Sequence, residues 1–396
     1  STYDDLTING GTFTCNGKEG VTAHTIIAWE DSETTINGGT FDGKDNYNGF
    51  NVDAVSGAVV NIYGGEFKKV HSGSLYGEGT INVMGGFYYD DPTARVATGY
   101  LTIKINDTLY TVMKGSVENG VNTYVVENTF DLDAFSSIVD KGATFEGQTV
   151  KLANDIDCFK GYMEDGDPIS TNPIGRRDYT NEIYAFCGTF DGDGHSIKNL
   201  YQNGWALGYE LGVYGAIGLF SKVQNATIKN LTMDGCEMFV EGGNVAVIAG
   251  NAEGDCTFEN ITIKNSTVCS YNNGVAGIVA WSETGNYTFK NIVLEDTFTV
   301  ASFWGAHGTY LGGVVAEVYA DCSYKFEDIV INCRLDAHND VVSNYQWYAY
   351  RCGGMIAGNV ETTQEINGTV YPNPAGCNIT CSNVTVNYGD WMNYHY

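Results

Sequence analysis

Short segments in which apolar and polar residues alternate recur along the first quarter of the chain. Thr-Ile-Asn-Gly-Gly-Thr-Phe occupies residues 7–13 and returns at 35–41, and related segments occupy 60–67 and 81–87. Alternation with β-branched residues is typical of a half-buried strand, and each Gly-Gly pair supplies a turn. The first glycines stand at 10, 38, 64 and 85, so the repeat is 20 to 30 residues long. Units of this length are predicted to stack, because none buries its apolar face alone.

A second alternating pattern begins after residue 225. Its segments occupy 226–233, 256–263, 287–294, 324–331 and 381–386, and each contains an amide or carboxylate at the same phase. These residues are Asn230, Asn260, Asn291, Asp328 and Asn383, at intervals of 30, 31, 37 and 55 positions. One amide per repeat predicts a ladder of side-chain hydrogen bonds along the stack, and the growing intervals indicate insertions in the later repeats.

Glycine-rich apolar segments separate the members of this second pattern. They occupy 215–220, 246–250, 275–280, 312–316 and 353–358. We interpret each as one strand in which glycine and alanine let neighbouring sheets approach closely.

Between the two patterns, residues 96–127 are predicted to form a small β connector with strands at 100–105 and 124–126. A helix is predicted over 128–139, with Leu132, Phe135, Ile138 and Val139 on one face and acidic residues in its first turn. The sequence therefore predicts an all-β protein: a right-handed parallel β-helix (a solenoid) in two regions, 1–95 and 128–396, with the helix as a cap.

Residues 131–233 resemble the GLUG-motif β-helices of bacterial surface proteins and adhesins. The matching pieces follow the helix in order: residues 144–157, then 173–175, then 186–200, and finally 218–220 leading into 226–231. The resemblance implies a parallel β-helix exposed on a cell surface or, since phage and viral fibres borrow these repeats, on a virion. It implies no catalytic residue. The many cysteines and the insertions after 331 depart from the family and leave the host and compartment open.

Charge and composition exclude some partners. The chain has 20 basic and 48 acidic residues, a net charge of −28, which opposes binding to nucleic acids and anionic membranes. Apolar residues make up 43%, with 50 glycines against 5 prolines, which fits many tight turns rather than a flexible linker. No apolar run approaches the length of a membrane-spanning helix. The sequence starts at Ser1 without a basic leader region, so we expect that a signal peptide or upstream domain has been removed, and from its abrupt end we expect that the protein continues further.

Ten of the 11 cysteines lie from residue 158 onward, and none forms a Cys-x-x-Cys pair. Many cysteines without a metal-binding pattern favour disulfides and an oxidising compartment, whereas buried thiols are the alternative. The candidates for disulfides are Cys158, Cys187, Cys236, Cys256, Cys269, Cys322, Cys333, Cys352, Cys377 and Cys381.

Nine Asn-x-Ser/Thr sequons permit N-glycosylation in a eukaryotic secretory route. The alternative interpretation is that strands that carry an asparagine ladder contain Asn-x-Thr for structural reasons, without glycosylation. The sequons begin at Asn106, Asn225, Asn230, Asn260, Asn265, Asn286, Asn367, Asn378 and Asn383.

Acidic motifs suggest two further kinds of site. Asp191-Gly192-Asp193-Gly194 either begins a Ca²⁺ loop or forms a tight turn, and the twelfth position of such a loop would be Gln202 rather than an acid. The acidic residues at 164–167 and 90–91 are candidates for the paired carboxylates of glycan cleavage, but sequence neighbours on a strand point to opposite faces. We predict no cofactor, with structural Ca²⁺ left open.

Aromatic residues in the insertions are the predicted binding surface, with lateral packing over the solenoid as the alternative. They are Trp304, Tyr345, Trp347, Tyr348, Tyr350 and Trp391. The preferred hypothesis is a non-catalytic adhesin or stalk that binds a glycan or protein on a host or neighbouring cell. The alternatives are a self-assembling virion or cell-surface appendage and a glycan-cleaving β-helix.

Overall fold

The computed structural model divides into two compact units, Ser1–Val125 and Val126–Tyr396. The prediction of three segments, 1–95, 96–127 and 128–396, is a finer division and stays a prediction. The structure describes residues 5–16, 22–43, 49–68, 72–163, 166, 168–175, 184–204, 215–240, 243–270, 273–302, 309–318, 322–337, 352–354, 356–360, 363–366, 369–372 and 377–387.

Parallel sheets form the repeats of the N-terminal unit, and each strand pairs with the strand one repeat later. The first sheet contains Leu6–Ile8, Glu33–Ile36, Val59–Ile62 and Thr80–Val83. The second has Thr12–Thr14, Thr40–Asp42, Glu66–Phe67 and Phe87–Tyr88. The third has Ile26–Ala28, Val52–Ala54 and Leu75–Gly77.

Aromatic rings stack inside this unit. Phe41 lies between Phe13 and Phe67, with ring centroids 5.1 and 4.8 Å away, and Tyr88 continues the stack 4.8 Å beyond Phe67. The Gly-Gly turns permit this close stacking, since a Cβ on Gly64 would lie 2.6 Å from the carbonyl oxygen of Asn37. The repeated Gly-Gly-x-Phe pattern is thus a turn followed by an inward-pointing ring.

An antiparallel group of strands follows these repeats. A 3-10 turn, Thr93–Arg95, leads into the strands Tyr100–Lys104, Tyr110–Glu118 and Val121–Val126. Tyr110–Glu118 also pairs antiparallel with Phe87–Tyr88 and so covers the edge of the last repeat. The predicted strands at 100–105 and 124–126 are present, and the sequence analysis missed the long strand between them.

The C-terminal unit begins with the helix Thr129–Asp140, as predicted. The Asn128 side chain caps it by accepting hydrogen bonds from the backbone N–H groups of Phe130 and Asp131, at 2.9 and 3.2 Å. The apolar face predicted from the sequence is the buried face of the helix.

The second repeat pattern forms one parallel sheet. Its strands are Thr149–Leu152, Thr189–Asp191, Thr227–Asp234, Cys256–Lys264, Asn286–Leu294, Ser323–Ile331 and Asn378–Val386, with Ile156–Asp157 and Ser196–Lys198 pairing alongside. Each longer strand bends at its ladder residue, where φ lies between 50 and 55° at Asn230, Asn260, Asn291, Asp328 and Asn383. Asparagine and aspartate tolerate this left-handed conformation better than other side chains with a Cβ.

The predicted ladder is present and is broken once. Asn230 donates to Asp191 at 2.9 Å, and Asn260 and Asn291 each donate to the preceding asparagine at 2.8 Å. Asn383 donates to Asp328 at 2.6 Å. Each of the two runs therefore begins with a carboxylate, Asp191 or Asp328, because a carboxylate accepts hydrogen bonds but does not donate them.

The glycine-rich segments correct one prediction, because each spans a corner between two strands rather than forming one strand. Val247 and Ile248, for example, form a fully buried corner between Gly243–Ala246 and Ala249–Glu253. Glycine-rich strands of successive repeats pair in two parallel sheets. One contains Gly215–Ile217, Gly243–Ala246, Asn273–Ala276, Thr309–Gly312 and Cys352–Gly354; the other contains Phe220–Gln224, Ala249–Glu253, Val279–Ser282, Val315–Val318 and Ala357–Val360.

A further parallel sheet completes the repeats of this unit, with strands Tyr201–Asn203, Glu237–Val240, Thr267–Ser270, Thr299–Ser302 and Arg334–Ala337. Within the predicted insertion after residue 331, the strands Thr363–Ile366 and Thr369–Pro372 form an antiparallel pair. Part of the insertion is therefore regular β structure.

Replacement of Asn260 tests the ladder and its backbone conformation. Asn260→Ala removes hydrogen bonds to Asn230 and from Asn291 and places alanine at φ 55°, so we expect a loss of about 3 kcal/mol in the free energy of unfolding. Asn260→Gly loses the same bonds without the strain and should cost about 1 kcal/mol less. Urea denaturation measures both. An alanine variant as stable as the glycine variant would contradict the left-handed conformation.

Candidate functional site

The aromatic residues predicted to bind a partner lie outside the described residues. They are Trp304, Tyr345, Trp347, Tyr348, Tyr350 and Trp391. The binding surface predicted from them stays a prediction.

Most sequon asparagines that the structure describes have structural roles. The side chains of Asn230, Asn260 and Asn383 belong to the ladder, while Asn265 and Asn286 donate to Asp234 and Asp255 at 2.7 and 2.8 Å.

The other sequons differ in their surroundings. Asn225 accepts from the backbone N–H of Asp255, and Asn106 accepts from Thr108 of its own sequon. Asn378 is exposed at the start of its strand, and Asn367 lies outside the described residues. The ladder accounts for three of the nine motifs without glycosylation, which stays a prediction for this chain.

The cysteines do not form the predicted disulfides in the part of the chain that the structure describes. Cys15 and nine of the ten candidates are present as thiols; the nine are Cys158, Cys187, Cys236, Cys256, Cys269, Cys322, Cys333, Cys377 and Cys381. The side chain of Cys352 lies outside the description. Strand register explains two of them, since Cys256 stacks against Tyr287 and Cys269 lies between Phe239 and Ala301. Cys256 therefore occupies a position where the next repeat places another core side chain, whereas Cys269 is buried between two half-buried neighbours.

Burial makes several of these thiols unreactive. Desolvation raises the pKa of Cys158, Cys236 and Cys333 to about 12 and that of Cys256 to about 11.

Alkylation should therefore separate two classes of cysteine. Iodoacetamide added to the native protein at pH 8 should modify exposed Cys381 and spare buried Cys158, Cys236, Cys256 and Cys333, because the thiolate is the reactive form. Peptide mass spectrometry with and without prior unfolding in guanidinium checks this. Disulfide-linked peptides from unreduced protein would contradict the thiol state.

The acidic motifs form structural contacts. Asp193 and Gly194 have positive φ in the predicted tight turn, and Asp191 pairs with Lys229 at 3.2 Å while accepting from Asn230. Asp90 accepts from the hydroxyl of Ser74, and Asp91 accepts from the backbone N–H of Thr93. Most of the 164–167 segment lies outside the described residues. Where side chains are described, no three metal-ligating groups come together.

Asp155 forms a surface network that the sequence analysis missed. It accepts from Lys198 Nζ at 2.9 Å and from the backbone N–H of Ser196 at 3.0 Å, and His195 Nδ1 lies 3.4 Å away. Hydrogen bonding from Lys198 is the largest cause that holds the pKa of Asp155 well below its usual range, followed by hydrogen bonds from Ser196. The network fixes the edge of the sheet beside the Asp191–Gly194 turn.

The low pKa of Asp155 predicts a pH-dependent contribution to stability. A carboxylate whose pKa falls on folding stabilises the protein above its unfolded pKa, and this contribution is lost as pH falls toward the folded pKa. Asp155→Asn should therefore reduce stability by less than about 1 kcal/mol at pH 7, since half of the side chain is exposed. The difference from the unmodified protein should shrink below about pH 4. Urea denaturation at several pH values measures it, and a pH-independent difference would contradict the shift.

A polar cleft of about 390 Å³ lies beside the helix Thr129–Asp140. The helix contributes Asp133, Ser137 and Asp140, which share one face because they are three or four residues apart. Ser136 and Lys141 border the same cleft, and Ser136 donates to the carbonyl of Pro173 at 3.2 Å.

A second wall of the cleft comes from the segment after the strand Ile156–Asp157. It contributes Lys160 and Asn172. Lys160 Nζ donates to both carboxylate oxygens of Asp133, at 2.9 and 2.8 Å, and so fixes this segment against the helix. The helix is not part of a repeat, and the segment around Asn172, although it pairs with the next repeat through Thr171 and Ile174, lacks the repeated sequence pattern. For this reason no periodic pattern indicated the cleft.

Exposed aromatic side chains lie in the same two segments of the chain as the cleft residues, but none of them lines the cleft. Phe159 precedes Lys160 in the chain, and its ring meets that of Tyr162 edge-on with centroids 5.1 Å apart. Phe159 is 48% exposed and Tyr162 is 66% exposed. Phe130, one helical turn before Asp133, is 84% exposed. Three exposed rings thus occur on the two elements that form the cleft walls.

Comparisons with known proteins give limited matches. No protein-family model matches the chain. Over 205 residues the chain is 28% identical to halomucin from Haloquadratum walsbyi (strain DSM 16790 / HBSQ001), a match that covers 48% of this chain and 2% of halomucin. The chain thus spans only a small fraction of that relative.

The crystal structure of a candidate immunoglobulin A1 protease from Bacteroides ovatus matches 69% of this chain and 86% of its own. The TM-score is 0.37 and the sequence identity is 15%, which are too low to indicate a shared fold or activity. Within the described ranges, no helix is long and apolar enough to span a bilayer.

Proposed function

We propose that this chain is an extracellular surface protein that binds a partner and has no catalytic step, and that residues 1–95 and 128–396 form right-handed parallel β-helices. The observation that carries the proposal is the in-register parallel pairing of each repeat with the next, in both units. Stacked repeats pair most backbone groups between neighbours and create long surfaces on which partners bind. A protein built this way suits a stiff stalk.

Charge and resemblance support an extracellular location. The net charge of −28 keeps such a protein soluble and repels nucleic acids and anionic lipids, so the proposed partner is a glycan or a protein on a host or neighbouring cell. The resemblance of residues 131–233 to GLUG-motif repeats implies the same surface location. The aromatic residues at 304, 345–350 and 391 remain proposed contacts, because insertions between repeats are where solenoids commonly carry binding residues.

Protease treatment of intact cells of the producing organism tests the location. Immunoblotting should show the protein degraded or released while a cytoplasmic marker stays intact, and antibodies should label unpermeabilised cells. Full protection from protease until lysis would overturn the surface proposal. Recovery only in purified virus particles would favour the virion appendage instead.

Binding and assembly of the purified 396-residue chain separate the adhesin from its alternatives. We expect a monomer by light scattering, because like charge opposes self-association, and saturable binding to target cells. Filaments or trimers without cell binding would favour the appendage. Release of shorter oligosaccharides from bound glycans would favour the glycan-cleaving alternative.

A further inference from the structure

The polar cleft beside the helix has the chemistry of a saccharide site. We propose that it binds a neutral saccharide; this inference rests on the surface-binding function above and names its ligand class. The volume of about 390 Å³ lies within the range of about 300–1,000 Å³ typical of small-ligand clefts.

The walls of the cleft match the hydroxyl groups of a sugar. A sugar hydroxyl both donates and accepts hydrogen bonds, so its site needs acceptors, donors and groups that do both. Asp133 and Asp140 accept, Lys160 donates, and Asn172 and Ser137 do both. Every side chain that lines the cleft is polar or charged, so an apolar peptide anchor would find no apolar pocket there.

The charge balance of the cleft favours an uncharged ligand. Its two carboxylates, Asp133 and Asp140, are matched by two ammonium groups, Lys141 and Lys160, within a molecule of net charge −28. An anionic polysaccharide would be repelled at long range by the whole protein. A cation would meet the ammonium groups as well as the carboxylates. A neutral saccharide is repelled neither by the net charge of the protein nor by the ammonium groups of the cleft.

A glycan array of neutral oligosaccharides built from hexoses and N-acetylhexosamines, with sulfated and uronic-acid chains beside them, is the probe. We expect binding of the 396-residue chain to at least one neutral oligosaccharide. Calorimetry with that sugar should give a Kd that changes less than about twofold between 50 and 500 mM NaCl, because no net charge is neutralised. Binding restricted to the anionic chains, or binding that collapses in salt, would overturn the proposal.

Three variants locate the binding. Ser137→Ala and Asn172→Ala, which each remove a polar group that lines the cleft, should each weaken binding about tenfold. Ser116→Ala is the matched control, because Ser116 is an exposed serine in the other unit, and it should leave the affinity unchanged. Equal unfolding midpoints for all three proteins would show that the fold is intact.

The outcomes distinguish this inference from the function on which it rests. Cell binding that persists in Ser137→Ala and Asn172→Ala would overturn the cleft as the site and leave the surface-binding function standing. Sugar binding unchanged in both variants would do the same. If the unmodified chain binds neither cells nor any oligosaccharide, both proposals fail.

Discussion

Each residue of the parallel sheets lies on its equivalent one repeat away, and this constraint determines which side chains the strands accept. Phe258, Phe289 and Phe326 stack with ring centroids 5.3 and 5.0 Å apart. On the outer face, Lys229, Glu259, Lys290 and Glu327 follow one another in register, so like charges never stack directly, and Lys290 Nζ lies 2.8 Å from Glu259. On the core face, a position therefore takes a side chain that packs well on a copy of itself. On the outer face, it takes a side chain whose charge is opposite to that of its neighbour in the next repeat.

This constraint explains which features the sequence predicted. The ladder residues, the stacked rings and the strand positions recur at each repeat, so the sequence displays them several times over. The helix was predicted for a different reason, since its cap at Asn128 and its apolar spacing are local signals. The corner at Val247 and Ile248 was missed because both residues are fully buried, and a continuous apolar run hides the change of direction. The cleft was missed because Asp133 and Lys160 belong to elements that occur once.

Asparagine and cysteine can each be interpreted in two ways, as a site of covalent modification or as a structural residue of the repeats. The cysteines favoured disulfides and the sequons permitted glycosylation, each with a structural alternative. Among the described residues, Asn230 is held by Asp191 and Asn260, and Asn260 by Asn230 and Asn291. Cys236 and Cys256 are buried thiols. A stack of repeats needs a side chain that accepts positive φ while bonding to its own kind, and small apolar groups for crowded interiors. Both residue types meet these needs without any covalent modification.

The insertion between Asn332 and Cys377 has a consequence for how such a protein changes over time. Ser323–Ile331 pairs with Asn378–Val386 in register although their ladder residues, Asp328 and Asn383, are 55 positions apart, against 30 for Asn230 and Asn260. The closure entropy of a loop grows only by about 0.6 kcal/mol for each doubling of its length. Selection is therefore free to lengthen or exchange the connections in this stretch at almost no cost in stability, provided that its paired strands Arg334–Ala337, Cys352–Gly354 and Ala357–Val360 are kept. New recognition sequences can arise there while the scaffold that holds them stays the same.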